Sequence, residues 1–232
     1  MARKVRVAIA GAMGRMGCVA RDAFQRSGEY AGGLARHADP ALDVVATLDD
    51  LLARSPDVLL DLTTQPASFD ISMAAAGRGC SVVVGASGWS REQREALGRV
   101  AEERGVGALV VPNFSLGAVL MMRFAREAAR FFPDAEIVEM HHAGKKDKPS
   151  GTALATAAGI EEAGARAPEI HSVRLPGLLA HQEVIFGASG ELLTIRHDTL
   201  AREAFVAGMI AAVRAVVNLR GLYVGLESVL ER

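Results

Sequence analysis

Over the first 112 residues, short strand-like runs alternate with helical stretches, and this alternation restricts the fold more than any other property of the chain. Val5–Ala10, Tyr30–Ala35, Asp57–Leu62, Ser81–Val84 and Gly107–Val111 have the length and composition of strands. Between them, the stretch running to Ser27, Asp49–Arg54, Ala67–Arg78 and Glu92–Glu103 read as helices, with Gly28 breaking the first. Parallel strands need a crossover connection, and a helix is the usual one, so repeated strand–helix units build a parallel sheet covered on both faces.

The pattern changes after Pro112. Leu116–Phe132 is expected to be a long amphipathic helix, Ala135–Met140 a strand and Ser150–Gly164 a second helix. Three strand-like runs then follow without helices between them: Ile170–Leu175, Glu183–Phe186 and Leu192–His197. Such grouping indicates an α+β domain with an open mixed sheet. A last helical stretch, Ala201–Val217, is expected to return to the first domain. The expected division is therefore residues 1–112 with 203–232 as one domain and 113–202 as the other.

With 232 residues, half of them hydrophobic, the chain has ample length to bury a core. A net charge of −1 gives no whole-chain attraction to nucleic acid or to a membrane surface, and neither is expected as a partner. Cys18 and Cys80 are too few for a disulfide framework and suit a reducing compartment. No apolar run approaches the ~20 residues that span a bilayer. The N-terminus leads directly into the first strand without the apolar core of a signal peptide, so a soluble, cytoplasmic protein is expected.

Gly11-Ala12-Met13-Gly14-Arg15-Met16-Gly17 directly follows the first strand and opens a helix. Glycines there allow a tight turn and close approach of backbone N–H groups to a pyrophosphate, whose charge the helix terminus favours. The spacing is G-x-x-G-x-x-G rather than G-x-G-x-x-G, and the same glycines would also suit a turn with no ligand. Within strand–loop–helix context they indicate a Rossmann-like dinucleotide-binding domain. An acid for the adenosine ribose would be expected about 20 residues further on. Leu34-Ala35-Arg36-His37 stands there instead, with no acid before Asp39. Arg36 can pair bidentately with a ribose 2′-phosphate, which favours NADPH while leaving NADH use open; a solvated surface arginine is the alternative. Gly85-Ala86-Ser87-Gly88 and Pro112-Asn113-Phe114-Ser115 follow two further strands, where ligands of open α/β sheets bind. A serine-hydrolase elbow, G-x-S-x-G, fails at Trp89.

Glu139–Ala153 concentrates two histidines, three lysines and a Ser-Gly-Thr turn. Imidazoles exchange protons near neutral pH, and ammonium groups bind carboxylates. Adjacent strand residues face opposite ways, so His141 and His142 serve one cavity only if the strand ends or bends there, which Gly144 permits. Lys145 and Lys146 would repel a cation and Asp147 is the only nearby carboxylate, so no metal is expected. Ser150 fits a helix N-cap, with the Gly151 and Thr152 N–H groups facing an anion. A small dicarboxylic acid would then be held by a lysine and this turn at one carboxylate and by His142 at the other, with His141 donating a proton. Structural roles for either histidine singly remain the alternative.

These motifs together resemble the 4-hydroxy-tetrahydrodipicolinate reductase (dihydrodipicolinate reductase) family. The family pattern E-x-H-H-x-x-K-x-D-x-P-S-G-T is present from Glu139 to Thr152. The glycine loop, Gly85–Gly88, Asn113–Gly117 and Gly190–His197 add ordered support along nearly the whole chain. The resemblance implies NAD(P)H-dependent reduction of 4-hydroxy-tetrahydrodipicolinate or dihydrodipicolinate to tetrahydrodipicolinate in lysine and diaminopimelate biosynthesis, with hydride reaching ring C4 and a proton ring C3. It implies that His141 and Lys145 are catalytic and that His142, Gly151 and Thr152 bind substrate. It implies that Gly11–Met16, Arg36, Gly85–Ser87 and Pro112–Ser115 bind the cofactor, and that the second domain's sheets form a homotetramer. The chain departs from the family pattern in its shortness between the second and third strands, in Ala35 at the ribose acid, in the extra residue before Pro66 and in Lys148. An amino-acid dehydrogenase on the same scaffold and a non-enzymatic nucleotide sensor are the rival readings; the His-His/Lys/Ser-Gly-Thr set argues against both.

Overall fold

The computed structural model describes residues 4–230; residues 1–3 and 231–232, the two ends of the expected first domain, lie outside the described residues. Two compact units are present, one running to Phe114 and resuming at Phe205, the other spanning Ser115–Ala204.

The first unit opens with β1 (Val7–Ala10), α1 (Arg15–Ser27) and β2 (Tyr30–Leu34). The short strand β3 (Val44–Val45), α2 (Leu48–Leu52), β4 (Val58–Asp61) and α3 (Ala67–Gly77) follow. β5 (Ser81–Val84), α4 (Arg91–Arg104) and β6 (Gly107–Val110) complete this part. Every residue of β1, β4, β5 and β6 is buried, as expected of strands covered on both faces. Helix ends follow local chemistry. α1 stops at Gly28, whose φ of 67° suits glycine, and α4 begins with a Ser90–Gln93 capping box.

The second unit contains α5 (Leu116–Ala128), β7 (Asp134–His141), α6 (Gly151–Glu162), β8 (Glu169–Arg174), β9 (Ala180–Ala188) and β10 (Glu191–Thr199). α5 ends short of the expected Phe132. Arg130 and Phe131 donate to carbonyls three residues back, and the tightened turn runs into Pro133, before which a helix is disfavoured. β9 and β10 extend beyond the expected runs because their hairpin pairs nine residues on each strand, polar ends included. The sheet order is β10-β9-β7-β8, with β7 and β8 parallel and the other pairs antiparallel, so the sheet is mixed. On one face Ala125, Ala129, Ala153 and Ile160 of the helical segments pack on Ile137, Val184 and Phe186. Side chains alternate along a strand, so Val138, Met140, Val173 and Ile185 point to the other face, and all four are partly exposed.

The chain then returns through a 3-10 turn at Arg202–Phe205 to α7 (Val206–Val216), β11 (Gly221–Val224) and α8 (Glu227–Leu230). The last helix of the sequence reading thus starts later than Ala201. Gly208 sits so close to the Phe114 carbonyl that a Cβ would collide with it. β3 and β11 were not expected; β3 has only two residues, and β11 lacks the continuous apolar burial of β1, β4, β5 and β6. The completed sheet is fully parallel in the order β11-β6-β5-β4-β1-β2-β3. The order reverses between β1 and β4, and at such a switch point open α/β sheets bind ligands beyond the strand C-termini. The architecture is a Rossmann-like parallel sheet plus a separate mixed-sheet unit.

Candidate active site

The first unit gathers its candidate residues on one sheet edge. Gly11–Met16 follow β1, Arg36 follows β2, Gly85–Ser87 follow β5 and Pro112–Phe114 follow β6. Parallel strands place all these loops at their shared C-terminal end. Gly11 has φ 78°, and a Cβ there would lie 2.8 Å from the Leu62 carbonyl oxygen; a Cβ on Gly17 would collide with the Gly11 carbonyl. These glycines let β1, α1 and the loop after β4 approach closely. The N-cap of α1 is Gly14, which offers no side chain to the first-turn N–H groups. An uncapped 13-residue helix start beside a switch point is the donor set that a pyrophosphate needs, so the loop fits a dinucleotide.

Burial separates the candidates by how they can act. Ala12, Ala86 and Phe114 are buried, and a Cβ on Gly85 would lie 2.6 Å from the Phe114 ring, so Phe114 packs the two loops together. Met13, Arg15, Arg36, Ser87 and Pro112 are exposed, with Met13 Sδ 3.7 Å from Arg21 Nη1. Asn113 lies between them, partly buried. Ser115 begins the second unit as the N-cap of α5; its Oγ accepts from Ala118 N at 3.3 Å and lies 3.1 Å from His197 Nε2.

Asp61, at the end of β4, is fully buried and had no expected role. Its Oδ1 accepts from Thr63 N at 2.9 Å and Thr63 Oγ1 at 2.6 Å, while Oδ2 accepts from Ser68 and Ser72. Trp89 Nε1 donates to Ser68 Oγ at 2.9 Å, which extends the network to the loop after β5. Burial pushes the Asp61 carboxyl up, against hydrogen bonds from Ser68, Thr63 and Ser72 that pull it down.

In the second unit, β7 ends at His141 and the turn starts with His142, where Lys145 N donates to the His142 carbonyl. His141 Nδ1 lies 2.5 Å from Glu139 Oε2. Burial lowers the imidazole's affinity for a proton, Lys145 and Arg174 add to that, and the Glu139 carboxylate opposes it. Glu139 is itself fully buried; burial would raise its carboxyl, but hydrogen bonds from Arg174, Ser172 and His141 hold it below the usual range. Lys145 Nζ meets both Asp147 oxygens, at 2.8 and 2.7 Å. Ser150 Oγ accepts from Ala153 N at 3.2 Å and so caps α6, whose first turn is Gly151 and Thr152. Gln182 Nε2 on β9 donates to Thr156 Oγ1 at 2.7 Å, pinning α6 to the sheet. His141, His142, Lys145, Ser150, Gly151 and Thr152 therefore share one strand–turn–helix segment.

Residues 5–114 match the family described as dihydrodipicolinate reductase, N-terminus, and residues 117–230 match its C-terminus. The chain belongs to the dihydrodipicolinate reductase family. It is 42% identical over 266 aligned positions to the 4-hydroxy-tetrahydrodipicolinate reductase of Moorella thermoacetica, with all of both chains covered. The Geobacillus kaustophilus reductase is 44% identical, covering 98% of this chain and 99% of its own. The solved dipicolinate-bound dihydrodipicolinate reductase from Paenisporosarcina sp. TG-14 superimposes with a TM-score of 0.86 at 37% identity, covering 98% of this chain and 100% of that one. A Corynebacterium glutamicum DAP dehydrogenase, TM-score 0.64 at 17% identity over 97% of this chain and 93% of its own, shares the fold. This chain is accordingly an NAD(P)H-dependent oxidoreductase of lysine and diaminopimelate biosynthesis.

Two buried groups of the reductase escaped the sequence reading. Glu139 stood inside the quoted pattern without a role, although its spacing from His141 puts both on one strand face. Arg174 carried no signal at all, because only the β7–β8 register sets it beside His141.

Proposed function

We propose that this dihydrodipicolinate reductase holds its cyclic dicarboxylate substrate in the second unit and protonates it from His141, using NADPH in preference to NADH. What supports this most is the Glu139–His141 pair at the end of β7, followed within one turn by Lys145 and the capped start of α6. With Nδ1 engaged by Glu139, Nε2 is the nitrogen that exchanges a proton with ring C3. Lys145 has three N–H donors, so it can hold Asp147 and a substrate carboxylate together. The first-turn N–H groups of Gly151 and Thr152, positioned by the Ser150 cap, bind the same carboxylate, and His142 binds the other. When bound, the reduced nicotinamide supplies hydride to ring C4.

Within Gly11–Met16, the N–H groups of Gly11, Ala12 and Gly14 donate to the Leu34 and Gly11 carbonyls and shape the loop. Met13, Arg15 and Met16 therefore offer the N–H groups that hold the pyrophosphate, and Ser87, Pro112 and Asn113 border the remainder of the dinucleotide. Arg36, exposed after β2 with Ala35 where an acid would repel phosphate, selects the 2′-phosphate of NADPH. The reaction and the two free cysteines suit the cytoplasm; among the described residues, no helix is long and apolar enough to cross a membrane. The partly exposed face bearing Val138, Met140, Val173 and Ile185 is the surface through which we infer a homotetramer assembles.

Replacing His141 with Gln is expected to lower kcat by roughly 10²-fold or more with a smaller effect on KM, the signature of lost proton donation. Lys145→Ala is expected to impair kcat and to raise KM for the dicarboxylate. Steady-state kinetics showing both variants at wild-type activity would contradict these roles.

A further inference from the structure

Glu139 and Arg174 form an ion pair whose side chains are 0% and 6% exposed. Placing two charges out of water carries a desolvation penalty that can exceed their attraction, so stability alone is a poor reason for such a pair. Its geometry is directed. Arg174 Nη2 donates to Glu139 Oε1 at 2.7 Å and to the Asp147 carbonyl at 2.7 Å. Nη1 donates to Glu139 Oε2 at 2.9 Å and to the Val173 carbonyl at 2.7 Å. Each terminal nitrogen carries two hydrogens, so these four bonds use all of them, and the remaining Nε is buried. Arg174 therefore has no accessible donor for a substrate carboxylate. Its contacts go instead to the carboxylate behind His141 and to the turn that carries Lys145.

We propose that Glu139, clamped by Arg174, is the positioning residue for His141: it fixes the Nδ1–H tautomer, leaves Nε2 as the exchanging nitrogen and favours the protonated ring. This rests on His141 being the proton donor. The charged groups around His141 are Glu139 on its own strand, Arg174 on β8, and Lys145, paired with Asp147, on the following turn. Its neighbour on β9 is Ala180, and α6 begins with uncharged residues. Glu139 is the group that draws a proton onto the ring against burial and two cations. Arg174 also holds the Asp147 backbone, so one guanidinium sets the distance between His141 and the Lys145 turn.

The test is a pH series of kcat in Glu139→Gln, run beside the unaltered enzyme and His141→Gln. Losing the carboxylate is expected to lower kcat on the order of 10²-fold near neutral pH. It should also move the alkaline limb of the profile to lower pH, so that activity partly recovers on acidification, with KM for both reactants nearly unchanged. A merely structural role would not move that limb. If His141→Gln is impaired but Glu139→Gln keeps both kcat and its limb, this inference alone fails. If His141→Gln is itself fully active, the donor assignment fails and this inference falls with it. Should Glu139→Gln not fold, nitrogen NMR of the unaltered enzyme decides, with the His141 signal identified by its loss in His141→Gln. A neutral ring protonated at Nδ1 supports the proposal, and one protonated at Nε2 overturns it.

Discussion

At the residue scale, the site depends on how one imidazole is surrounded. Burial makes His141 harder to protonate than a free histidine, and Glu139 only partly offsets this. A group that acts as a proton donor works in its protonated form, so activity falls as pH rises through its pKa. Because that pKa is lowered, kcat/KM for the dicarboxylate is expected to fall with rising pH through an apparent value below the ordinary imidazole figure of about 6.5. A profile whose alkaline limb lay well above that value would contradict the assignment. The gathering of His141, Lys145 and the Ser150 cap in one segment was legible in the sequence because residue type and spacing carried it. The place of Arg174 was not, since its partner Glu139 lies 35 residues away in sequence and is reached only through the β7–β8 register.

At the element scale, strands and helices place the loops, and buried polar networks keep them there. The strand–helix alternation of the first unit was readable because fully buried strands are apolar throughout and α4 carries its own capping signals. β3 was missed because two residues give no usable pattern, and β11 because it lacks the continuous apolar burial that marks β1, β4, β5 and β6. Asp61 was missed for another reason: Ser68 and Ser72 reach it only when α3 folds back against the end of β4, and Trp89 joins them through Ser68 only once β5 is paired with β4. Asp61→Asn puts N–H donors where the native group accepts from several donors, among them the fixed Thr63 N–H. A buried donor left unsatisfied costs about 1–3 kcal/mol. Urea unfolding is expected to show a loss of that size, and an unchanged midpoint would remove Asp61 as an anchor of these loops.

At the scale of the whole molecule, the chain forms two units and passes between them at Phe114–Ser115 and Ala204–Phe205. The grouping of strands after Pro112 and the mixed sheet they form were legible as an architecture; the homotetramer was expected from the family resemblance alone, because an open sheet face is recognised only when its alternating side chains are counted together. With Val138, Met140, Val173 and Ile185 partly exposed on that face, light scattering is expected to give a particle about four times the 24.4 kDa chain mass. Met140→Arg is expected to yield smaller species. A monomer at micromolar concentration would exclude the tetramer.

The chain is expected to reduce the cyclic dicarboxylate with NADPH ahead of NADH. The most direct test generates the unstable substrate from pyruvate and aspartate semialdehyde with a separate synthase and follows oxidation of NADPH and NADH in parallel, with Arg36→Ala alongside. Enzyme-dependent oxidation of both is expected, at higher kcat/KM for NADPH, with that advantage shrinking roughly tenfold or more in Arg36→Ala as a charge-assisted contact to the 2′-phosphate is lost. Equal use of the two cofactors would contradict the selectivity assigned to Arg36, and no enzyme-dependent oxidation of either would contradict the function itself.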